Sequence, residues 1–315
     1  MRRYIVNRIL LIFPTILIVT LLVFSISRLI PGSVVELMAN EQGYGFDANE
    51  VREMLGLDQP VYTQYYEYIK GIVLRGDLGH SLWSGAPVAQ EILDRLPVSV
   101  QLGLLALFFT LIMGVPIGVI SALKQDSAPD YILRTLAIRG LSIPSFWLAI
   151  LLLTFGAIWF RWVPPMRYIP FIESPWASMM QMVTPAFLMS ISMSAGIMRM
   201  TRTMMLEVLR EDYIRTARSK GLSNLVVIVR HALKNALIPV VTIIGMQLTL
   251  LVAGTVIMES IFSLPGMGRY LLSAITQRDY PVIQGVNLII CSAIITLNLI
   301  VDLTYAFLDP RIRYR

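Results

Sequence analysis

Residues 211–222 read EDYIRTARSKGL, and they decide the fold by where they stand. The segments on either side, 174–198 and 235–258, contain no charged residue. A helix needs about 20 apolar residues to cross the hydrocarbon core of a bilayer, and both segments supply them. The densest run of basic residues in the chain therefore lies between two membrane spans, on one face of the membrane.

Working outward, four more charge-free windows appear: Ile9–Ser27, Val98–Leu123, Gly140–Phe160 and Tyr280–Val301. None alternates in polarity as barrel strands do. Pro14, Pro116, Pro144, Pro185 and Pro239 fall inside windows, where neighbouring groups can re-satisfy the backbone that proline frees. Composition agrees: 56% of the 315 residues are hydrophobic and 15% charged, against about a quarter charged in soluble domains. The sequence predicts an all-α membrane protein with six transmembrane helices. The first window follows a basic front, MRRYIVNR, as in a signal peptide, but it is long and leads into SRLIPGS, so it reads as a retained anchor.

Lysine and arginine set the orientation. With the N-terminus inside, the inner segments hold three basic residues before Ile9, three in 124–139, eight in 199–234 and three after Asp302, seventeen of the 26. Both termini are then cytoplasmic. The net charge of +6 is a topology signal and calls for no nucleic-acid partner. Membrane lipid is the expected surroundings.

The expected boundaries are a first helix in 1–30, an extracytoplasmic loop of short helices in 31–97, a membrane core in 98–308 and a tail at 309–315. The core helices are expected at about 98–123, 140–160, 176–198, 236–258 and 282–301, with an inner loop at 202–235. In the outer loop, Asp47 and Glu50 form a capping pair, Gly56 is a stop, Pro60 opens PVYTQYYEYIKGIVL, RGDLGHS is turn-like and PVAQEILDRL is a third short helix. Tyr62, Tyr65, Tyr66 and Tyr68 serve either packing at the interface or a docking partner.

Several chemistries find no support. There is no G-x-x-x-x-G-K-[ST] phosphate loop. Cys291 is alone, and His80 and His231 stand in no metal-ligand pattern. No ionisable group lies mid-span; Arg139, Arg199, Glu259 and Asp302 lie near ends. A mid-membrane charge costs at least ~2.5–3.5 kcal/mol, and ion-driven carriers bear that cost for a relay. This chain either conducts passively or is driven by another subunit. Met189 and Met193 share a stripe with Met200, Ser190 and Ser194 lie beside it, and Gln247 and Asn298 add polar groups on later spans. These six candidates, Met189, Met193, Ser190, Ser194, Gln247 and Asn298, either line a pathway or pack helices.

The inner loop reads as a bracket. LEVLREDYIRTARSK suits a helix, Gly221 can end it in the left-handed conformation, and Ser223 can cap NLVVIVRHALKNAL, which runs into the next span. Anionic lipid would account for its basic charge. It would not account for small Ala217 and Gly221 among long side chains, which suit a docking surface.

This bracket resembles the coupling loop of ABC importer permeases, EAA-x3-G-x9-I-x-L-P. Arg215, Thr216 and Ala217 stand at the EAA positions and Gly221 at the G, while His231 and Lys234 depart at the I and P. DYIRTARSKGL with RHALKNALIPVV looks like the variant of the dipeptide/oligopeptide branch. GLDQPVYTQYYEY, RGDLGHS, MESIFSLPGMGRYLL, QRDYPVIQG and DPRIRYR resemble its first permease subunit. The resemblance implies the type I ABC importer transmembrane fold and a non-catalytic subunit without a cofactor of its own. Its implied partners are a second homologous permease, two cytosolic ATPase subunits that bind ATP and Mg, and an extracytoplasmic substrate-binding protein. Tyr213, Ile214, Arg215, Thr216, Ala217, Arg218 and Gly221 are the implied coupling residues.

Overall fold

Helix dominates because the apolar runs leave the backbone no partner but itself. The computed structural model describes residues 2–29, 34–42, 52–53, 56–165 and 167–308. In chain order the helices are α1 (Arg2–Leu29), α2 (Val34–Gln42), α3 (Val61–Arg75), α4 (Val88–Leu123), α5 (Ala128–Ser142), α6 (Ser145–Phe160), α7 (Pro175–Val208) and α8 (Asp212–Ser219). There follow α9 (Asn224–Val226), a π-helical segment (Val227–Leu233), α10 (Lys234–Ile261), α11 (Met267–Gln277) and α12 (Tyr280–Leu308). Among the described residues there is no strand, only the bridge between His80 and Pro87. Among the described residues five helices are long and apolar enough to cross a membrane, and the bent pair α5–α6 makes a sixth if it is one span. The Asp47–Glu50 pair and the 309–315 tail lie outside the described residues.

Two expectations need correcting. The window Gly140–Phe160 is not one helix: it breaks between Ser142 and Ser145, and α5 meets α6 at 90°. Pro144 is the cause. Proline disfavours the helical region for the residue before it, and Ile143 is extended at φ −103°, ψ 118°. Likewise, PVAQEILDRL is not a separate short helix but the first turns of α4. An Arg95–Glu91 ion pair one turn apart and Arg95 stacked 4.2 Å over the Tyr270 ring support those turns. Burial pushes the Tyr270 phenol up to about 12.

The chain divides into two units, residues 1–99 with 265–295, and residues 100–264 with 296–315. In the first, Tyr65 and Tyr68 of α3 pack on Phe24 of α1, with ring centroids 5.1 and 6.2 Å apart, and Tyr65 Oη lies 3.1 Å from Thr20 Oγ1. These two tyrosines serve packing, while Tyr62 and Tyr66 are exposed. The RGDLGHS turn is bound to the QRDYP segment. Ser81 Oγ donates to buried Asp279 at 2.6 Å, the Leu82 amide donates to it at 3.2 Å, and Trp83 Nε1 donates to the Gln277 carbonyl at 2.9 Å. Beneath lies a core of Leu78, Val88, Ile92, Met267, Val282 and Val286.

In the second unit, α4, α5, α6 and α10 surround α7. Close approach rests on small residues. A Cβ at Gly114 would sit 2.9 Å from the Ser194 carbonyl, and one at Gly118 would sit 2.7 Å from the Met198 carbonyl.

Candidate functional site

The bracket joins α7 to α10. The expected continuous helix from Leu206 is interrupted at Leu209–Glu211; α8 starts after an extended Glu211 and is only eight residues long. Gly221 has φ +76° with nothing within 4 Å of an added Cβ, so it turns the chain and leaves open space beside its backbone. Ser223 holds the N-cap position of the next helix, yet its side chain makes no capping bond there; its carbonyl accepts the Val227 amide at 3.0 Å.

The π-helical segment has a packing reason. Val227 and Ala232 are both completely buried. On an α-helix, residues five apart diverge by about 140°. Bonding from i to i+5 brings them onto one face. The face continues to buried Ala236, four residues on. These three residues, with Ala122 of α4 and Met205 of α7, enclose Ile214 and Ala217.

That enclosure sorts the implied coupling residues by face. Ile214 (0% exposed) and Ala217 (6%) face this chain's own helices and hold the bracket to them. Tyr213, Arg215, Thr216, Arg218 and Gly221 are exposed. The Tyr213 hydroxyl accepts a hydrogen bond from Asn235 Nδ2 at 2.8 Å, and Arg215 reaches Asp212 at 3.3 Å. An apolar surface that the motif did not predict lies just beyond: Leu222, Leu225 (72% exposed), Val226 and Val229. Its sequence signal was the run NLVVIV, apolar on more sides than one packed helix face requires.

The pathway candidates divide similarly. Met189, Ser190 and Ser194 are buried within the chain. Ser190 Oγ donates to the Phe187 carbonyl at 2.7 Å, Ser194 Oγ donates to that of Ile191 at 2.9 Å, and Met189 packs toward Gly254. These three pack between helices of this chain. Met193 and Gln247 are half-buried, with Gln247 Nε2 donating to the Met193 carbonyl at 2.9 Å and its Oε1 without a partner among the described residues. Asn298 is exposed and accepts from Thr249 Oγ1 at 3.4 Å.

Sequence reasoning also missed a buried ion pair beside the bracket. Arg202 of α7 binds Asp130 of α5 through two hydrogen bonds, at 2.7 and 2.9 Å. In the sequence both stand simply as loop charges, and no spacing in the chain links them.

Comparison with known proteins gives this arrangement its context. Residues 114–314 match the family model of the binding-protein-dependent transport system inner membrane component, and residues 1–103 match the N-terminal model of the same kind of membrane component. The chain belongs to this family of binding-protein-dependent transport permeases. It is 40% identical, over the full length of both chains, to the dipeptide transport system permease protein DppB of Escherichia coli (strain K12). The same identity and coverage hold against DppB of Alkalihalophilus pseudofirmus. Among solved structures it is similar to the inward-facing MetNI methionine ABC transporter, with TM-score 0.54 and 15% identity over 70% of this chain and 97% of that one. That likeness shows the fold, the type I ABC importer transmembrane fold. The protein is therefore the permease component of an ABC importer and a multi-pass inner-membrane protein. The family implies a permease partner and ATPase subunits.

Proposed function

We infer that this permease forms half of a translocation pathway for peptides, driven by two cytosolic ATPase subunits that dock on the bracket. A second, homologous permease supplies the other half, and an extracytoplasmic binding protein delivers the solute. This chain is not itself catalytic and holds no cofactor; ATP and Mg belong to the ATPase subunits. Both termini are cytoplasmic.

One observation carries the reading. The bracket is fastened by its own buried core, yet it presents Leu222, Leu225, Val226 and Val229 outward next to the open backbone of Gly221. A contiguous apolar patch rimmed by polar residues marks a protein contact. Lipid accounts for the basic residues but not for a patch placed at the turn between two helices. Full-length identity to dipeptide permeases supports peptides as the solute. Nickel complexes, glutathione and oligosaccharides are the alternative cargoes of the same architecture.

The test uses the assembled transporter in proteoliposomes with its binding protein. Radiolabelled dialanine, a pentapeptide, glutathione, nickel–histidine and maltotriose are offered with ATP. Uptake of the peptides alone is expected; uptake of only a non-peptide overturns the peptide assignment. Leu225→Glu and Gly221→Glu are expected to leave the permease inserted while the ATPase subunits no longer co-purify. Normal co-purification and uptake in both would sink the docking reading.

A further inference from the structure

Asp130 is completely buried and the Arg202 side chain is 16% exposed. Each carboxylate oxygen accepts two hydrogen bonds. Oδ1 takes Arg202 Nε at 2.9 Å and the Ser121 hydroxyl; Oδ2 takes Arg202 Nη2 at 2.7 Å and the Asp126 amide at 3.1 Å. Arg202 Nε also lies 3.1 Å from Ser121 Oγ. Three helices thus end on one carboxylate: Ser121 from α4, Asp130 from α5 and Arg202 from α7.

A buried ion pair adds little net stability over a well-packed apolar pair, and its best-attested use is to fix register. The position of this one indicates what it registers. Ser121 precedes Ala122, and Arg202 stands one turn before Met205; both Ala122 and Met205 belong to the cluster that grips Ile214 and Ala217 of the bracket. One turn earlier on α4, Gly118 already brings α4 against the α7 backbone. Of these three helices, α5 contributes no residue to that cluster among the described residues. The ion pair supplies the link.

We propose that Asp130 and Arg202 are positioning residues for transport: they fasten α5 and α4 to α7 beside the bracket, so that a displacement of the bracket moves the three helices as one body. The bidentate, doubly accepted geometry matters because a planar guanidinium fixes angle as well as distance. Apolar contacts at the same place would hold the helices together yet let them slide. This inference rests on the proposed docking of ATPase subunits on the bracket.

The experiment compares Asp130→Asn, Arg202→Lys and the apolar pair Asp130→Leu with Arg202→Met, each in the assembled transporter in proteoliposomes. ATP hydrolysis and dialanine uptake are measured together. The expected result is assembly and hydrolysis near wild type, with uptake per ATP hydrolysed reduced at least tenfold in Asp130→Asn and in the apolar pair, and less in Arg202→Lys. Uptake and hydrolysis falling in parallel, or an unchanged ratio, overturns the proposal. If Asp130→Asn does not assemble, the apolar pair decides: assembly with a low ratio supports the strut, and a wild-type ratio overturns it. Failure of both to assemble also overturns it, because the pair would then serve folding alone. If the wild type leaves dialanine outside, the peptide reading fails instead, and the ratio is scored on whichever solute of the panel it carries. Leu225→Glu in the same assay separates the two readings, since normal docking in that variant counts against the bracket and not against the ion pair.

Discussion

Gly118 has no room for a methyl group. Its Cβ would fall 2.7 Å from both the Met198 carbonyl and Thr201 Cβ, and backbone cannot swing aside as a flexible side-chain end can. Gly118→Ala is therefore expected to destabilise the permease by about 1–3 kcal/mol, the usual range for overpacking. Earlier unfolding in a detergent thermal melt checks it; an unchanged melt would mean that α4 and α7 are farther apart. The G-x-x-x-G spacing of residues 114–118 was present in the sequence, but nothing there named the backbone it faces. Asp279 is a second case. It accepts from Ser81 and Leu82; Ser81 and Asp279 lie in the family-like patches RGDLGHS and QRDYPVIQG, and Leu82 directly follows the first. Asp279→Ala leaves the buried Ser81 hydroxyl and the half-buried Leu82 amide unanswered, about 1–3 kcal/mol of penalty. The expected readout is a lower melting temperature with α3 and α11 becoming protease-sensitive. The patches were legible as motifs; that they bind one another was not, because 198 residues separate Ser81 from Asp279.

At the scale of elements, the bracket sorts its residues by face. Ala217 is buried and Thr216 next to it is exposed. Ala217→Arg should abolish expression of folded permease, whereas Thr216→Arg should fold normally and act only on ATPase docking. Size-exclusion profiles and co-purification distinguish the two, and a well-folded Ala217→Arg would refute the enclosure of Ala217 by α4, α7 and the π-helical segment. The elbow between α5 and α6 is the other element-scale feature. Pro144→Ala removes the restraint on Ile143 and restores a donor, so a helix running from α5 into α6 becomes possible. Spin labels at 134 and 155 should move apart as the 90° bend opens; an unchanged distance would place the cause of the bend in packing and not in proline. The window rule found the apolar length of this segment but was blind to its direction, since hydropathy carries no information about angle.

For the whole molecule, the charge asymmetry makes a topology that labelling can check. In a Cys291→Ser background, Glu67→Cys on α3 should react with an impermeant maleimide in intact cells. Thr216→Cys on α8 should react only after the inner membrane is opened. The reverse pattern would invert the orientation argued from lysine and arginine. The order of the apolar windows was legible because transfer of some 20 apolar residues into lipid is large compared with any local preference, and the inner bracket followed from the charge count; the family was legible separately, from the coupling-loop motif and the quoted patches.

Composition and order along the chain by themselves determined that this protein is an all-helical membrane protein, which segments are apolar enough to enter lipid and where its inner loop turns at Gly221. Each of those follows from a local property: apolar length, charge count, or the freedom of glycine to take positive φ. Only the tertiary structure decided which way the side chains of that loop face. It turned Ile214 and Ala217 inward, left Leu225 and Val229 outward, and brought Asp130 to Arg202 across 72 residues. Facing and pairing depend on how separate helices meet, and a one-dimensional pattern holds the period of each helix but not the rotation of one against another.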